Sequence, residues 1–144
     1  MPEFSAIIFD VDGLIVDSEE LYSRTYIETL ADYGKTLARE NYTACVGIPV
    51  EENAAHAVEH FNLDISLETY CEVWMAKFEA AISLPGGIDL MPGIIDLLEH
   101  LEGVYELALA SSTKQPRMRT TVVNGLMHHL DYHSPEHLFS VILS

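Results

Sequence analysis

Two runs of apolar residues separate stretches of the chain that have different periodicity. Residues 6–9 and 104–110 are almost continuously apolar, which predicts strands of a parallel sheet, the first of them buried on both faces. A third apolar run at 139–143 predicts another strand. Residues 17–83 show helical spacing and no alternating pattern. This order of elements predicts a parallel α/β sheet, Rossmann-like, with an inserted all-helical unit.

The helical stretch is predicted to contain four helices. Their spacing and stop signals place them at 17–32, 37–46, 49–61 and 66–83. Ser66 can cap the last helix, whose apolar stripe we interpret as core rather than as a ligand-binding surface; the stripe comprises Leu67, Tyr70, Cys71, Trp74, Phe78 and Ile82. The Leu-Pro-Gly-Gly sequence at 84–87 is the strongest linker signal. We therefore predict an α/β core formed by 1–16 and 84–144, and a helical cap formed by 17–83.

The segment that follows the linker is predicted to alternate between helix and strand. A helix opens after Met91-Pro92-Gly93 and ends near Gly103, just before the second strand. Pro116 can begin another helix, and Gly125 is expected to break it.

Composition narrows the class of protein. The chain has 144 residues, enough for one ordinary domain, and 49% of them are hydrophobic. Its formal net charge is −16, with 23 acidic residues against 7 Lys and Arg, which argues against nucleic acid as a partner. No apolar stretch is long enough for a membrane span, and no signal peptide is recognisable. Cys45 and Cys71 lie outside any zinc or redox motif, so we expect reduced thiols in a cytoplasmic protein.

Two carboxylates follow the first strand directly. Asp10 and Asp12 are two positions apart, so on an extended backbone their side chains project to the same side. Ligands bind at the carboxyl ends of strands in open α/β sheets, and two close carboxylates repel unless a cation or a shared proton intervenes. An EF-hand calcium loop starting at Asp10 is excluded, because its sixth and twelfth positions are Ile15 and Leu21. A plain strand-to-turn junction remains the alternative.

The sequence FDVDGLIVDSE at 9–19 resembles the first motif of the haloacid dehalogenase superfamily. It is most similar to the branch of phosphatases and phosphomutases that carries a helical cap. The sequence LALASS at 107–112 is similar to the second motif of that family, a strand that ends in Ser or Thr. The resemblance implies an α/β core with the predicted helical unit as a cap over the substrate.

The resemblance also implies a chemistry. Asp10 would be the nucleophile that becomes an aspartyl phosphate, and Asp12 the general acid and base. The Asp10 carboxylate and the Asp12 backbone carbonyl would hold Mg²⁺, and Ser111 and Ser112 would bind the phosphate. Gly13, Glu19 and Gly47 would belong to the hinge or the substrate side of the cap, with 84–90 as the second hinge. The implied substrate is a small phosphorylated metabolite.

This sequence departs from the family pattern in two ways. It contains no match to the late Lys or Arg and the late acidic residue that the family also uses. Pro49 and Val50 stand where sugar phosphomutases have an Arg, which favours a phosphatase over a mutase. A catalytically incomplete chain, or an interaction module that keeps the fold, is the alternative, and an uncovered sheet edge at 139–143 would favour self-association.

A second possible metal site consists of histidines near the end of the chain. His129, His133 and His137 recur every four residues, which would suit one helix face. Pro135 interrupts that helix, so we interpret these residues, with His128, as surface histidines.

Overall fold

The computed structural model describes residues 4–144, except for the side chain of Ala44. The chain divides into two compact units. We call them the α/β unit, which comprises Met1–Ser18 and Ala81–Ser144, and the helical unit, which comprises Glu19–Ala80. In chain order the strands and α-helices are β1 (Ala6–Phe9), α1 (Ser18–Asp32), α2 (Val50–His60), α3 (Leu67–Ile82), α4 (Ile94–Leu101), β2 (Glu106–Ala110), α5 (Gln115–Val122), α6 (His128–Leu130) and β3 (Val141–Leu143).

The sheet of the α/β unit is parallel, which confirms the predicted fold class. Its strand order is β1-β2-β3, with Phe9 beside Leu109 and Leu109 beside Ile142. Each of the two connections moves one strand in the same direction across the sheet. Because such crossovers are right-handed, α4 and α5 are expected on the same face of the sheet.

Burial of the strand residues follows that asymmetry. Phe9, Leu107 and Leu109 on the covered face are 4%, 3% and 0% exposed. Ile8 and Leu143, on the other face, are 67% and 59% exposed. The prediction that the first strand is buried on both faces is therefore wrong, since nothing in residues 4–144 covers its second face.

The helical unit encloses its own aromatic core. Tyr26, Tyr70 and Trp74 are fully buried, and the ring centroids of Tyr26 and Trp74 lie 5.1 Å apart with edge-to-face geometry. The Trp74 indole N–H donates to Thr25 Oγ1 at 3.0 Å, so the polar end of this large side chain is satisfied. The predicted apolar stripe of α3 is thus confirmed as core at Tyr70 and Trp74.

Two predicted helices differ in the structure. The expected helix at 37–46 is a 3₁₀ segment, Arg39–Cys45. Gly125 does not end the helix that begins near Pro116; α5 continues through a π-helical turn, Val123–Met127, into α6. Gly125 packs closely there: a Cβ atom would lie 3.1 Å from Ile88 Cγ2 and 3.4 Å from Val16 Cγ1, so a larger residue would displace Ile88 by a few tenths of an ångström.

Within residues 4–144 no helix is both long enough and apolar enough to cross a lipid bilayer. Both cysteines are free thiols; Cys45 is buried and Cys71 is half-buried.

Candidate active site

The first part of the site is the loop that follows β1. The Val11 amide donates to Asp10 Oδ1 at 2.8 Å, and the amides of Ile15 and Val16 donate to the Val11 carbonyl at 3.0 and 3.1 Å. Gly13 has a φ of +75°, a conformation that favours glycine. The side chains of Val11, Ile15 and Val16 are buried and anchor the loop, whereas the Asp10 and Asp12 side chains face solvent.

The second part of the site is the end of β2. The Ser111 amide donates to the Leu143 carbonyl at 3.0 Å, which fixes the position where β2 leaves the sheet. Ser111 Oγ then accepts a hydrogen bond from the Thr113 amide at 3.0 Å. Ser112 lies between them and is exposed.

Thr113 joins the two parts. Its hydroxyl donates to Asp12 Oδ2 at 2.8 Å, while its amide is bonded to Ser111. The residues predicted after the first two strands therefore meet at the carboxyl-terminal end of the sheet. Sequence patterns assigned no role to Thr113. Its position two residues after Ser111 was the feature that could have suggested a place in the same site.

The other two predicted site residues lie in the helical unit. Glu19 lines a cavity of about 200 Å³ within that unit, together with Tyr22, Tyr42, Cys45, Ile48 and Trp74. Gly47 has a φ of +75° and directly precedes the cavity-lining Ile48. The buried Asn53 amide fixes this loop, because its Nδ2 donates to the carbonyls of Cys45 at 2.9 Å and Ile48 at 3.3 Å.

The walls of this cavity are mostly uncharged. Burial, and then the nearby Glu19 carboxylate, raise the pKa of Tyr42 above its ordinary value. Burial likewise raises the pKa of the Cys45 thiol. Both groups are therefore neutral at physiological pH.

The predicted hinge segments at 13–17 and 84–90 are bonded to each other within the α/β unit. The Asp17 amide donates to the Asp89 carbonyl at 2.8 Å, and the Met91 amide donates to the Ile15 carbonyl at 2.9 Å. Asn124 lies in the π-helical turn. Its Nδ2 donates to the carbonyl of Ile82, just before the second segment, at 2.8 Å. Both segments are thus positioned by backbone hydrogen bonds, and their role as hinges stays a prediction.

The donor chemistry at the strand end fits Mg²⁺, which prefers oxygen ligands. Asp10 offers a carboxylate oxygen there, and Asp12 offers its backbone carbonyl oxygen. In the described part of the chain, however, no group of three or more His, Cys, Asp or Glu is placed to hold a metal ion. The oxygen atoms of these two residues would supply part of the six-oxygen shell that Mg²⁺ prefers.

The chain belongs to the haloacid dehalogenase-like hydrolase family. The sequence profile of that family matches residues 7–143, almost the whole chain. The chain is 33% identical over 129 residues to a protein of Saccharomyces cerevisiae named as a probable pseudouridine-5'-phosphatase, with 88% of this chain and 51% of that protein covered. It is 30% identical over 114 residues to the phosphorylated carbohydrates phosphatase of Thermotoga maritima, with 76% and 50% covered.

Solved structures agree with this assignment. The crystal structure of a beta-phosphoglucomutase candidate from Thermotoga maritima superimposes with a TM-score of 0.77 at 25% identity, and covers 97% of this chain and 61% of that chain. CbbY from Rhodobacter sphaeroides, crystallised with phosphate, gives a TM-score of 0.63 at 28% identity, with 96% and 62% covered. The chain spans about half the length of the curated relatives it matches.

Proposed function

We propose that the chain carries the nucleophile and the phosphate-binding residues of a Mg²⁺-dependent phosphatase that acts on a small phosphorylated metabolite. The observation that carries the proposal is the pair of hydrogen bonds made by Thr113, which brings Asp12 after β1 together with Ser111 after β2. A nucleophile, a general acid and phosphate-binding hydroxyls then share one strand-end site.

Two steps follow from these residues. An Asp10 carboxylate oxygen attacks phosphorus, the bond from phosphorus to the substrate oxygen breaks, and Asp12 donates a proton to that leaving oxygen. Asp12 then takes a proton from water, whose oxygen attacks phosphorus; the bond to Asp10 breaks and inorganic phosphate leaves. The Thr113 hydroxyl orients the Asp12 carboxylate for both transfers.

Phosphate oxygens would be held by the Ser111 and Ser112 hydroxyls and the neighbouring backbone amides. Mg²⁺ held by the Asp10 carboxylate and the Asp12 backbone carbonyl would neutralise negative charge on the phosphate and on Asp10.

We propose that the cavity of the helical unit contributes to the choice of substrate, with Glu19 and the loop at Gly47 as its selective elements. Its aromatic and aliphatic walls suit an uncharged organic group better than a second phosphate. The relatives named for pseudouridine 5'-phosphate and for phosphorylated carbohydrates act on substrates of that general kind. Pro49 and Val50 beside Gly47 supply no cation, which favours phosphatase over sugar phosphomutase.

The remaining predictions concern compartment and partners. Two free thiols suit the reducing cytoplasm. A formal net charge of −16 opposes association with nucleic acid.

The proposal is tested with the 144-residue chain, p-nitrophenyl phosphate and Mg²⁺. We expect slow, Mg²⁺-dependent hydrolysis, because two acidic residues supply only part of the metal shell, and an intact mass that shows one added phosphoryl group on Asp10. Asp10→Asn should remove both signals while circular dichroism stays unchanged, since Asn is nearly isosteric but is not an anionic nucleophile. Asp12→Asn should slow turnover about 100-fold or more.

Two results would count against this assignment. Equal hydrolysis by Asp10→Asn would remove Asp10 from the mechanism. Absence of both hydrolysis and phosphorylation in the unsubstituted chain would favour an interaction module that retains the fold. Thr113→Val serves as the control for positioning: it should lower kcat and change its pH profile, with little change in KM.

A further inference from the structure

We propose that His56 and His60, on the solvent side of α2, bind one divalent transition-metal ion of the group Ni²⁺, Cu²⁺ and Zn²⁺. We call these two residues the histidine pair. The proposal concerns the helical unit alone and does not depend on the catalysis proposed for the strand ends. Because α2 runs unbroken from Val50 to His60, the four-residue spacing holds both imidazoles on one helix face.

The structure brings the two imidazole rings together. Their centroids lie 5.0 Å apart, and their planes are inclined by only 10°. Both residues are exposed, whereas Asn53, Ala54 and Ala57 on the inner side of α2 are buried. Since no packing holds the two rings from the solvent side, each can turn to direct one nitrogen to a shared ion, at the distance of about 2.0–2.1 Å that is usual between zinc and imidazole.

The surroundings of the histidine pair favour a cation. His60 lies in the last turn of α2, where the helix carbonyls carry partial negative charge. Glu52 and Glu59 are exposed and lie one turn from His56 on the helix surface, and the net charge of the whole chain is −16. The ring of His60 also packs edge-to-face on Phe61, with centroids 4.9 Å apart, which limits its movement.

The two imidazoles determine the kind of ion. Imidazole nitrogen suits Ni²⁺, Cu²⁺ and Zn²⁺, whereas Mg²⁺ prefers oxygen ligands. In the described part of the chain no three His, Cys, Asp or Glu side chains are placed to hold a metal ion, so the histidine pair supplies two ligands and water completes the shell. Affinity should then follow the usual order of these ions, with Cu²⁺ bound more tightly than Ni²⁺ or Zn²⁺.

The other histidines of the chain lack this arrangement. Among residues 4–144, His56 and His60 are the two histidines that lie one turn apart on the same α-helix. The four-residue repeat of histidines near the end of the chain is interrupted, because α6 ends at Leu130 and a separate 3₁₀ turn begins at Pro135. The helix face that this repeat would need is therefore absent there and present on α2.

The test titrates Zn²⁺ into the 144-residue chain by isothermal titration calorimetry, with excess Mg²⁺ to occupy the strand-end oxygens. We expect one Zn²⁺ per chain, and joint shifts of the His56 and His60 ring signals in NMR spectra. His60→Gln should weaken binding about tenfold or more, because one ligand of a chelating pair is lost. His100→Gln is the matched control and should bind normally, because His100 is also exposed but is the one histidine of α4.

A second variant tests the spacing itself. Glu52→His, added to His60→Gln, creates a pair with His56 one turn earlier on α2 and should restore Zn²⁺ binding. His56→Gln replaces His60→Gln if that variant loses its helical circular dichroism.

Three outcomes would overturn the proposal: no Zn²⁺ binding by the unsubstituted chain, equal binding by His60→Gln, or binding that Asp10→Asn abolishes, which would place the ion at the strand ends. Because binding is measured without substrate, none of these results depends on phosphatase activity. Failure of Asp10 to be phosphorylated likewise leaves the histidine pair untouched.

Discussion

The two units bury their apolar residues to very different extents. The helical unit surrounds its aromatic centre on all sides, and Tyr26, Tyr70 and Trp74 have no exposed surface. The sheet of the α/β unit is covered on one face, and Ile8 on the other face is 67% exposed. Helices can pack around a shared centre within one short segment, whereas a sheet needs separate covering elements on each face. The comparison indicates that the helical unit is the self-sufficient part of this chain.

The largest expected effect tests that contrast directly. Trp74→Ala should lower the free energy of unfolding by about 3–5 kcal/mol, because it removes a fully buried aromatic side chain and its hydrogen bond to Thr25. Ile8→Ala should change it by less than about 0.5 kcal/mol, as at most exposed positions. Urea unfolding followed by circular dichroism measures both. Comparable losses in the two variants would show that the exposed face of the sheet is covered in solution.

The helical unit could be predicted well from the sequence, because its signals are local. Tyr70 and Trp74 follow the helical period and are core. Ser66 caps α3 as expected, with its Oγ accepting from the Thr69 amide at 3.1 Å. The 3₁₀ segment at Arg39–Cys45 was missed because seven residues are too few to separate a period of 3.6 from one of 3.0.

The α/β unit was harder to predict, because its features depend on contacts that are distant in sequence. Gly125 was predicted to break the helix, but it lies within the helical run and packs closely against Ile88 and Val16. The apolar run of β1 was correctly predicted as a strand, yet the run itself does not indicate which face is covered. At the site, Asp12 and Ser111 were identified from motifs, while the Thr113 bridge depends on a turn that no pattern specified.

Alkaline pH should destabilise the helical unit, because its buried centre contains ionisable tyrosines. Burial raises the pKa values of Tyr26, Tyr42 and Tyr70 in the folded chain. At a pH below the unfolded-state pKa of about 10, the stabilisation that these buried phenols contribute is fully present. Above that pH the unfolded chain loses its phenol protons first, so the free energy of unfolding falls. Unfolding midpoints measured from pH 8 to 11 should therefore decrease above about pH 10. Tyr70→Phe should flatten the decrease, and an unchanged slope in that variant would contradict this explanation.

A smaller effect compares two similar amide contacts. In the helical unit, the buried Asn53 amide donates to the Cys45 and Ile48 carbonyls. In the α/β unit, the half-buried Asn124 amide donates to the Ile82 carbonyl. Asn53→Ala should cost about 1–3 kcal/mol, because it leaves buried carbonyls unsatisfied, and Asn124→Ala about 0.5–1.5 kcal/mol. Thermal unfolding of the two variants measures which substitution costs more stability. A larger loss for Asn124→Ala would mean that the contact at Ile82 is the more important of the two.

The smallest effect should come from one exposed ion pair in each unit. Arg39 pairs with Glu20 at 2.8 Å in the helical unit, and Arg119 pairs with Glu136 in the α/β unit. All four side chains are more than two fifths exposed, so double-mutant cycles should give couplings of about 0.2–1 kcal/mol that shrink in high salt. Arg39 also lies over the Tyr42 ring, 5.6 Å from its centroid. The loss of stability on Arg39→Ala should therefore keep a remainder in high salt, which an exposed ion pair alone would not leave. A loss on Arg39→Ala that high salt abolishes, as we expect for Arg119→Ala, would show that the aromatic contact adds nothing, and that the surfaces of the two units behave alike even though their interiors do not.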